Sequence, residues 1–520
     1  MAASPQPSAA LPVLAAVIIL AAACRGGGGS PTTFDLAHQR PALTVLGAQT
    51  EDGLGAIASG DVNGDGHADL IIGAPAADGP DDGRPDAGET YVIFGPHPGA
   101  TLDLSRDKPD VTIFGANSSD FLGFAVGSGD VNGDGFADIL VGAPLADGPD
   151  DQRPDAGEAY VIFGGPTLAP TLDLAQGEQD LTIFGAGPDD RLGAALAAGN
   201  SNGDASDDIL VGSFLADGPN DARYQAGEAY LLLGSPHLSG KRDMAQGEYD
   251  LTLLAQDTDD QLGHYLAMSD LDGDHLDDLI VSAFRADGPQ NEREDAGEIY
   301  VFFGTAELEG VVDLAVARPD LTVYGGHAFD DLGAAVAAAD MNGDGTADLI
   351  VGAPRADPVG AAEARRGAGE AYVFFGGPSL TGSRDVAQDQ QDLTLLGADP
   401  DDRFGTALAT ADLDSDGKAE VIAGAERGDR PDDRRQDAGE VYVVRGSSTP
   451  PATLDMAGGA YNAIVFGQRS GDMLGASLAT ADWDGDGRFD LLAGAPLADG
   501  PGSRTDTGAA YVIRGPRLLK

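Results

Sequence analysis

Oxygen-bearing side chains recur seven times along this chain, at positions 1, 3, 5 and 9 of a short acidic stretch. The first set is Asp61, Asn63, Asp65 and Asp69, and the second is Asp130, Asn132, Asp134 and Asp138. The third is Asn200, Asn202, Asp204 and Asp208, and the fourth is Asp270, Asp272, Asp274 and Asp278. Then come Asp340, Asn342, Asp344 and Asp348; Asp412, Asp414, Asp416 and Glu420; and Asp482, Asp484, Asp486 and Asp490. Donors so spaced, with a backbone carbonyl at position 7, can surround a hard divalent cation, and calcium takes six to eight oxygens at about 2.3–2.6 Å. Position 6 is glycine in most copies, which permits the sharp turn, but it is Ala205 in the third and His275 in the fourth. Two carboxylates about 4 Å apart repel by about 4 kcal/mol at an effective dielectric of 20, so three or four need a cation between them. Calcium is therefore expected at up to seven sites, weakest at the third, which has only two carboxylates. An EF-hand would place a bidentate Glu at position 12. Here that position is Ile72, Val141, Val211, Val281, Val351, Ala423 or Ala493, so the loop belongs in a β-hairpin. Magnesium fits less well, because it keeps waters and demands octahedral geometry.

The elements that position these loops repeat with them. The acidic stretches begin 69, 70, 70, 70, 72 and 70 residues apart. Each unit holds four short runs rich in Val, Ile, Leu and Phe, bounded by Gly, Pro and Asp. In the second copy these are Val111–Gly115, Leu122–Gly127, Asp138–Ala143 and Ala159–Gly164. No run has a sustained helical period. Seven four-strand units at one period predict an all-β, seven-bladed β-propeller of four-stranded blades. The run before each acidic loop is small-residued, as in Leu192–Ala198, and suits the innermost strand. Leu43–Ala48 has the outermost-strand pattern with no partner nearby, and the chain's last strand pattern, Tyr511–Gly515, is of the third type. The N-terminal strand is thus expected to complete the last blade, closing the ring and removing its open edges.

Three further sets recur in all seven units. An Asp precedes each LG or FG pair by two residues: Asp52, Asp120, Asp190, Asp260, Asp330, Asp402 and Asp472. A second follows each GAP-type turn: Asp78, Asp147, Asp217, Asp287, Asp357, Asp429 and Asp499. An Arg lies at 84, 153, 223, 293, 365, 435 and 504. All three fall on the face opposite the acidic hairpins. Arg forks pinning the long loops to carboxylates account for them, and a ring of polar groups for an anionic or sugar ligand is the alternative. The least repeat-like cluster is His264 and Tyr265 with Phe214, Tyr224 and Phe284, read as altered core packing or a ligand pocket. The seven histidines form no metal or triad motif, and GxSxG and phosphate loops are absent.

The chain has 520 residues, with 86 acidic and 30 basic side chains, a formal charge of −56. That balance repels phosphate backbones and anionic lipid, so nucleic acid is excluded as a partner. Hydrophobic residues make up 42%, enough for a core. Cys24 is the single cysteine, which excludes an intramolecular disulfide framework. Leu11–Ala23 is an uncharged apolar run, too short for a bilayer span of about 20 residues. It reads as a secretory signal ending at a candidate lipidated Cys24, giving residues 1–24 as a lipoprotein-type signal peptide, 25–33 as a Gly-rich tether and 34–520 as the propeller. Contact with a membrane is expected only through lipid at Cys24.

The repeat resembles the FG-GAP repeats of the integrin α-chain propeller. Gly142-Ala143-Pro144 and Gly157-Glu158-Ala159-Tyr160-Val161 carry the likeness. Only Phe404-Gly405 keeps FG, the other copies having LG, and GAP becomes Gly212–Phe214, Ser282–Phe284 and Gly424–Glu426 in three units. The resemblance implies calcium hairpins on one face, ligand contacts on the other and, with the signal, a bacterial-type surface lipoprotein. The expected function is a calcium-binding, non-catalytic cell-surface propeller for adhesion to an extracellular protein or glycan. The alternative is a secreted hydrolase or lyase on the same scaffold, which a symmetry-breaking cleft of converging His, Tyr and acid side chains would favour.

Overall fold

The computed structural model describes residues 31–358, 365–429 and 434–519. They form seven sheets of five strands each. Blade two shows the plan. Its inner strand Ala125–Gly129 pairs antiparallel with Asp138–Ala143, which pairs with Glu158–Ile162, which pairs with Leu181–Phe184. Every residue of the second and third strands is buried. This is why they read as unbroken apolar runs: both faces pack on neighbouring blades. The inner strands, from Ala56–Gly60 in blade one to Ser477–Ala481 in blade seven, pack each on the next and the last on the first, so the wheel is closed.

The expectation of four strands per blade is corrected to five. The added strand comes from the following unit: Thr171–Asp173 runs parallel to Val111–Phe114 on the outer edge of blade one. An outer strand left bare would offer a row of unpaired N–H and C=O groups, and the extra three residues cover it. Closure follows the expected route and goes further. Leu43–Leu46 is the fourth strand of blade seven, antiparallel to Ala509–Ile513 with Thr44 opposite Tyr511. Thr32–Asp35 runs beside Ala463–Phe466 as the fifth strand of blade six. The N-terminal segment thus stitches two blades.

The two glycine motifs meet each other between blades. A Cβ on Gly142 would lie 1.8 Å from the carbonyl oxygen of Gly193, and one on Gly73 1.9 Å from that of Gly123. The glycine of each GAP turn thus lies against the glycine of the next blade's LG pair, a backbone approach that no side chain allows. Blade four has Ser282 there, and its hydroxyl donates to the carbonyl of Gly333 at 2.7 Å.

The recurring arginines hold the fifth strands. Arg153 donates to the carbonyls of Gly185 and Ala186 and to Asp243 Oδ2 at 2.7 Å. The other pairs are Arg84–Asp173, Arg223–Asp313, Arg293–Asp385, Arg365–Asp455, Arg435–Asp35 and Arg504–Asp103, at 2.6–2.8 Å. The partner is a third aspartate set that ends each fifth strand. The two expected sets cap backbone N–H groups instead: Asp52 accepts from Gln49 N and Asp78 from Asp86 N. Arg153 is 17% exposed. Arg153→Ala removes charge-assisted hydrogen bonds and leaves Asp243 unpaired, at a cost of about 2 kcal/mol. Urea unfolding at fixed calcium is expected to show that loss.

Candidate functional site

One rim of the wheel carries the acidic hairpins. In the first, Asp61 accepts from the N–H groups of Gly64, Asp65 and Gly66, Asn63 from Asp65, and Asp65 from His67, at 2.8–3.1 Å. These bonds wrap the backbone round the carboxylates. Asp69 at position 9 is fully buried and accepts from Val62 N and from Gly95 N beyond the third strand, both at 3.0 Å. Asp138, Asp208, Asp278 and Asp348 repeat both bonds; Glu420 keeps the one from Leu413 N and Asp490 the one from Gly515 N. Position 9 thus also ties the hairpin to its own blade, a role its spacing alone did not disclose.

The donor sets differ in charge. Asp270, Asp272 and Asp278 bring carboxylate oxygens within 4.8 Å of one another, as do Asp412, Asp414 and Glu420, and Asp482, Asp484 and Asp486. Loops one, two and five place an amide among the carboxylates: Asn342 Nδ2 lies 3.0 Å from Asp348 Oδ1, and Asn63 and Asn132 lie 3.5 Å from Asp69 and Asp138. In the third, Asn200 donates to the Asp204 carbonyl and Asn202 to Asp204 Oδ2 and Asp208 Oδ1, so amides supply much of the compensation. His275 keeps the fourth loop's turn at φ 75°, where a glycine is usual. In blades six and seven Arg445 contacts Asp414 Oδ2 at 2.8 Å and Arg514 contacts Asp484 Oδ2 at 2.9 Å. The opposite oxygens, Asp414 Oδ1 and Asp484 Oδ1, are buried without a hydrogen-bond partner, as are Glu420 Oε1 and Asp490 Oδ2. Unpaired buried carboxylate oxygens facing one another fit a hard divalent cation.

The other rim breaks the symmetry. There, in blades one to six, the residue after the GAP-type turn donates its N–H to the carbonyl of the Asp before LG or FG, as Arg285 does to Asp260 and Arg355 to Asp330, both at 3.4 Å. The residue following that Asp takes positive φ in every blade, as in Arg191 (60°), Asp331 (54°) and Arg403 (60°). Two positions per blade therefore lie side by side on this rim. In blades seven, one and two they are Met473 with Leu497, Gly53 with Ala76, and Phe121 with Leu145. In blades three to six they are Arg191 with Leu215, Gln261 with Arg285, Asp331 with Arg355, and Arg403 with Arg427.

Below them, most inner strands present alanine-sized residues, but blade four presents His264 and Tyr265. The His264 ring lies 4.5 Å from Phe214, 4.6 Å from Tyr265 and 4.6 Å from Phe284, the two phenylalanines standing where blades one, two, five and seven carry the proline of GAP. Tyr224, grouped with them in the sequence, stands apart at 60% exposure. His264 and Tyr265 line a pocket of about 460 Å³ with Ile57, Pro75, Phe124 and Pro496. Burial pushes His264 down to about 4, with the Arg285 charge adding to it. Tyr265 is pushed up to about 12 by burial and the charges of Glu426 and Asp331. Arg355 pairs with Asp331 at 3.0 Å and Arg403 with Glu426 at 3.1 Å. The charged pairs of blades five and six thus lie within charge range of Tyr265, which lines the pocket with blades seven, one, two and three.

Five segments, 54–93, 122–162, 332–374, 404–444 and 474–513, match the family model described as FG-GAP repeat. The chain carries FG-GAP repeats. The matched segments lie in blades one, two, five, six and seven, so Phe214, His264, Tyr265 and Phe284 fall outside them. The chain is similar to human phosphatidylinositol-glycan-specific phospholipase D, 28% identical over 391 residues, covering 71% of this chain and 42% of that protein. It is also similar to Drosophila melanogaster integrin alpha-PS2, 35% identical over 167 residues, 31% of this chain and 11% of that protein. A solved exotype rhamnogalacturonan lyase superposes with a TM-score of 0.39 at 12% identity, over 91% of this chain and 76% of the other. The chain thus spans less than half the length of these curated relatives. The expectation of a non-catalytic chain is overturned by relatives that include a phospholipase D.

Burial pushes Asp69, Asp138, Asp278 and Asp490 up to about 7 and Glu420 to about 8, with neighbouring loop carboxylates adding to the shift. It likewise raises Glu89, Glu158 and Glu298 to about 7, although each accepts a tyrosine hydroxyl. A carboxyl raised on folding lends stability in full below its unfolded value near 4, and loses it as pH rises through the folded value. In EGTA the melting temperature is therefore expected to fall as pH rises from about 4 to about 8. Calcium should flatten the hairpin share of that fall and leave the Glu–Tyr share. Parallel melting profiles with and without calcium would show that the hairpins hold none.

Proposed function

We propose that the chain is an exported hydrolase or lyase built on an FG-GAP propeller, with calcium held in its hairpins and its working site at the axis of the opposite rim. One observation carries the reading: the sevenfold pattern breaks at a pocket lined by His264 and Tyr265, with Asp331 and Glu426 within charge range of Tyr265. The phospholipase relatives support it and make a phosphodiester of a glycolipid the first substrate to try. His264, held neutral by burial and with its Nδ1 unpartnered, would offer a ring nitrogen to the substrate as a weak proton acceptor. Tyr265 keeps its proton to about pH 12 and is fit to donate a hydrogen bond to a developing oxyanion. Calcium, held by the residues named for the seven hairpins, stabilises the wheel and takes no part at the axis.

A second reading, capture of an extracellular protein or glycan on the same rim, is favoured by the similarity to an integrin α chain. Export rests on Leu11–Ala23, with lipid at Cys24 and a tether after it; residues up to 30 lie outside the described residues, and Thr32 and Thr33 of the expected tether belong to the strand Thr32–Asp35. Among the described residues no helix is long and apolar enough to cross a membrane. Cys24→Ser is expected to move the chain from the membrane fraction to the soluble one.

The purified chain in calcium should be assayed against glycolipid phosphodiesters and acidic and neutral polysaccharides. His264→Gln is expected to cut turnover at least about 100-fold, the usual share of one acid–base group, with melting unchanged. Unaltered turnover in that variant would remove the catalytic assignment, and binding without turnover would select the second reading.

A further inference from the structure

The axial rim holds a cation, Arg285, with no ion-pair partner among the described residues, in a chain rich in carboxylates. Arg285, Arg355 and Arg403 all lie within charge range of Asp331. Arg355 is paired to Asp331 and Arg403 to Glu426, and Asp295 adds a further negative charge nearby. Among the described residues Arg285 alone of the three makes no ion pair. Its guanidinium lies 5.5 Å from the Phe284 ring centroid, and its Nε is buried with no acceptor. Arg191 Nε and Arg427 Nε, on the flanking blades of the same rim, are buried without acceptors too. Elsewhere the recurring arginines are all ion-paired, and acidic side chains outnumber basic ones by 86 to 30. A shortage of carboxylates therefore does not explain a half-buried, unpaired guanidinium. A buried N–H without an acceptor is costly, and an anionic ligand would remove that cost.

We propose that this rim binds an oxyanion carried on a sugar-sized body, with Arg285 as its principal charge partner and the adjoining pocket as the seat for the body. Guanidinium groups match carboxylate and phosphate geometry equally, so the shared chemistry is the planar or tetrahedral oxyanion. The body would rest in the 460 Å³ pocket, against Tyr265 and Phe124, the latter 49% exposed. The blades opposite carry Ala76, Leu145 and Leu497 at the equivalent positions, so the ligand would be held in one orientation, anion toward blades four to six. The proposal rests on reading the axial rim as the working site, and does not need turnover.

Titration calorimetry with glucuronate, glucose 1-phosphate and glucose, at one calcium concentration, tests it. Either anion is expected to bind while glucose does not, and the anion preferred tells carboxylate from phosphate. Arg285→Ala should weaken that binding at least about tenfold with melting unchanged, the loss of one charge-assisted hydrogen-bonding partner. Arg285→Lys should recover part of it, and Arg153→Ala should leave it alone. No binding of either anion to the folded protein, or equal binding by Arg285→Ala, overturns the proposal. Anion binding with no substrate turned over supports it and removes only the catalytic assignment. Turnover of a neutral polysaccharide with both anions ignored does the reverse.

Discussion

Backbone meets backbone at the blade junctions, and the wheel depends on that contact. Where a Cβ at Gly142 would stand 1.8 Å from Gly193's carbonyl, no residue with a side chain can sit unless the junction reopens. This contact brings the second strand of one blade against the first strand of the next at minimum spacing. It therefore fixes how tightly the blades converge and how narrow the axis is. The small inner-strand residues follow from the same convergence. The one junction that replaces the GAP glycine, at Ser282, adds a hydroxyl-to-carbonyl bond and lies beside the aromatic cluster of blade four. The symmetry breaks where the packing rule is relaxed.

Charge is distributed to match. The acidic surplus is concentrated in hairpins whose backbone N–H groups converge on the carboxylates, while one recurring arginine in each blade pins the outer edge. Position 9 of each hairpin joins the two systems. It faces the other carboxylates, and through Gly95 N, Gly164 N and their equivalents it fixes where the third strand ends. A cation in the hairpin would thus be felt by the blade through a buried carboxylate rather than through a surface loop. Calcium loss should for that reason act on the stability of the whole blade.

Much of this was legible in the sequence, because the signals repeat. Seven acidic stretches at one spacing fixed the number of blades, position 12 placed the loops in hairpins, and the unpartnered Leu43–Ala48 disclosed the closure. What escaped notice was either short or non-local. The fifth strand is three or four residues, too brief for a periodic signal, and it pairs with a strand some 60 residues earlier. Its terminal aspartates, Asp103, Asp173, Asp243 and the rest, do recur at the repeat spacing, and that regularity could have identified the arginines' partners. The axial site is different in kind. His264 and Tyr265 were visible as departures from the repeat. Nothing local connects them to Asp331 and Glu426, which come within charge range of Tyr265 only through the arrangement of successive blades.

That geometry bears on how such a scaffold acquires chemistry. A ring of equivalent positions offers seven places at which a substitution faces the same small volume. Most are silent here: alanine-sized residues in the inner strands, Ala76 or Leu145 at the turn. A few departures on neighbouring blades then suffice to make a site with an orientation. Blade four supplies the imidazole and phenol, blade five a carboxylate, blade six another, and each brings its own arginine. Because the supporting backbone is held by the blade junctions and by the N–H to carbonyl bond from the post-GAP residue of blades one to six, these side chains need not carry the fold. Tyr265 and Arg285 are constrained by what approaches the axis, whereas Gly142 and Arg153 are constrained by the wheel itself. A change at the first pair should alter recognition and spare stability, and a change at the second should do the opposite.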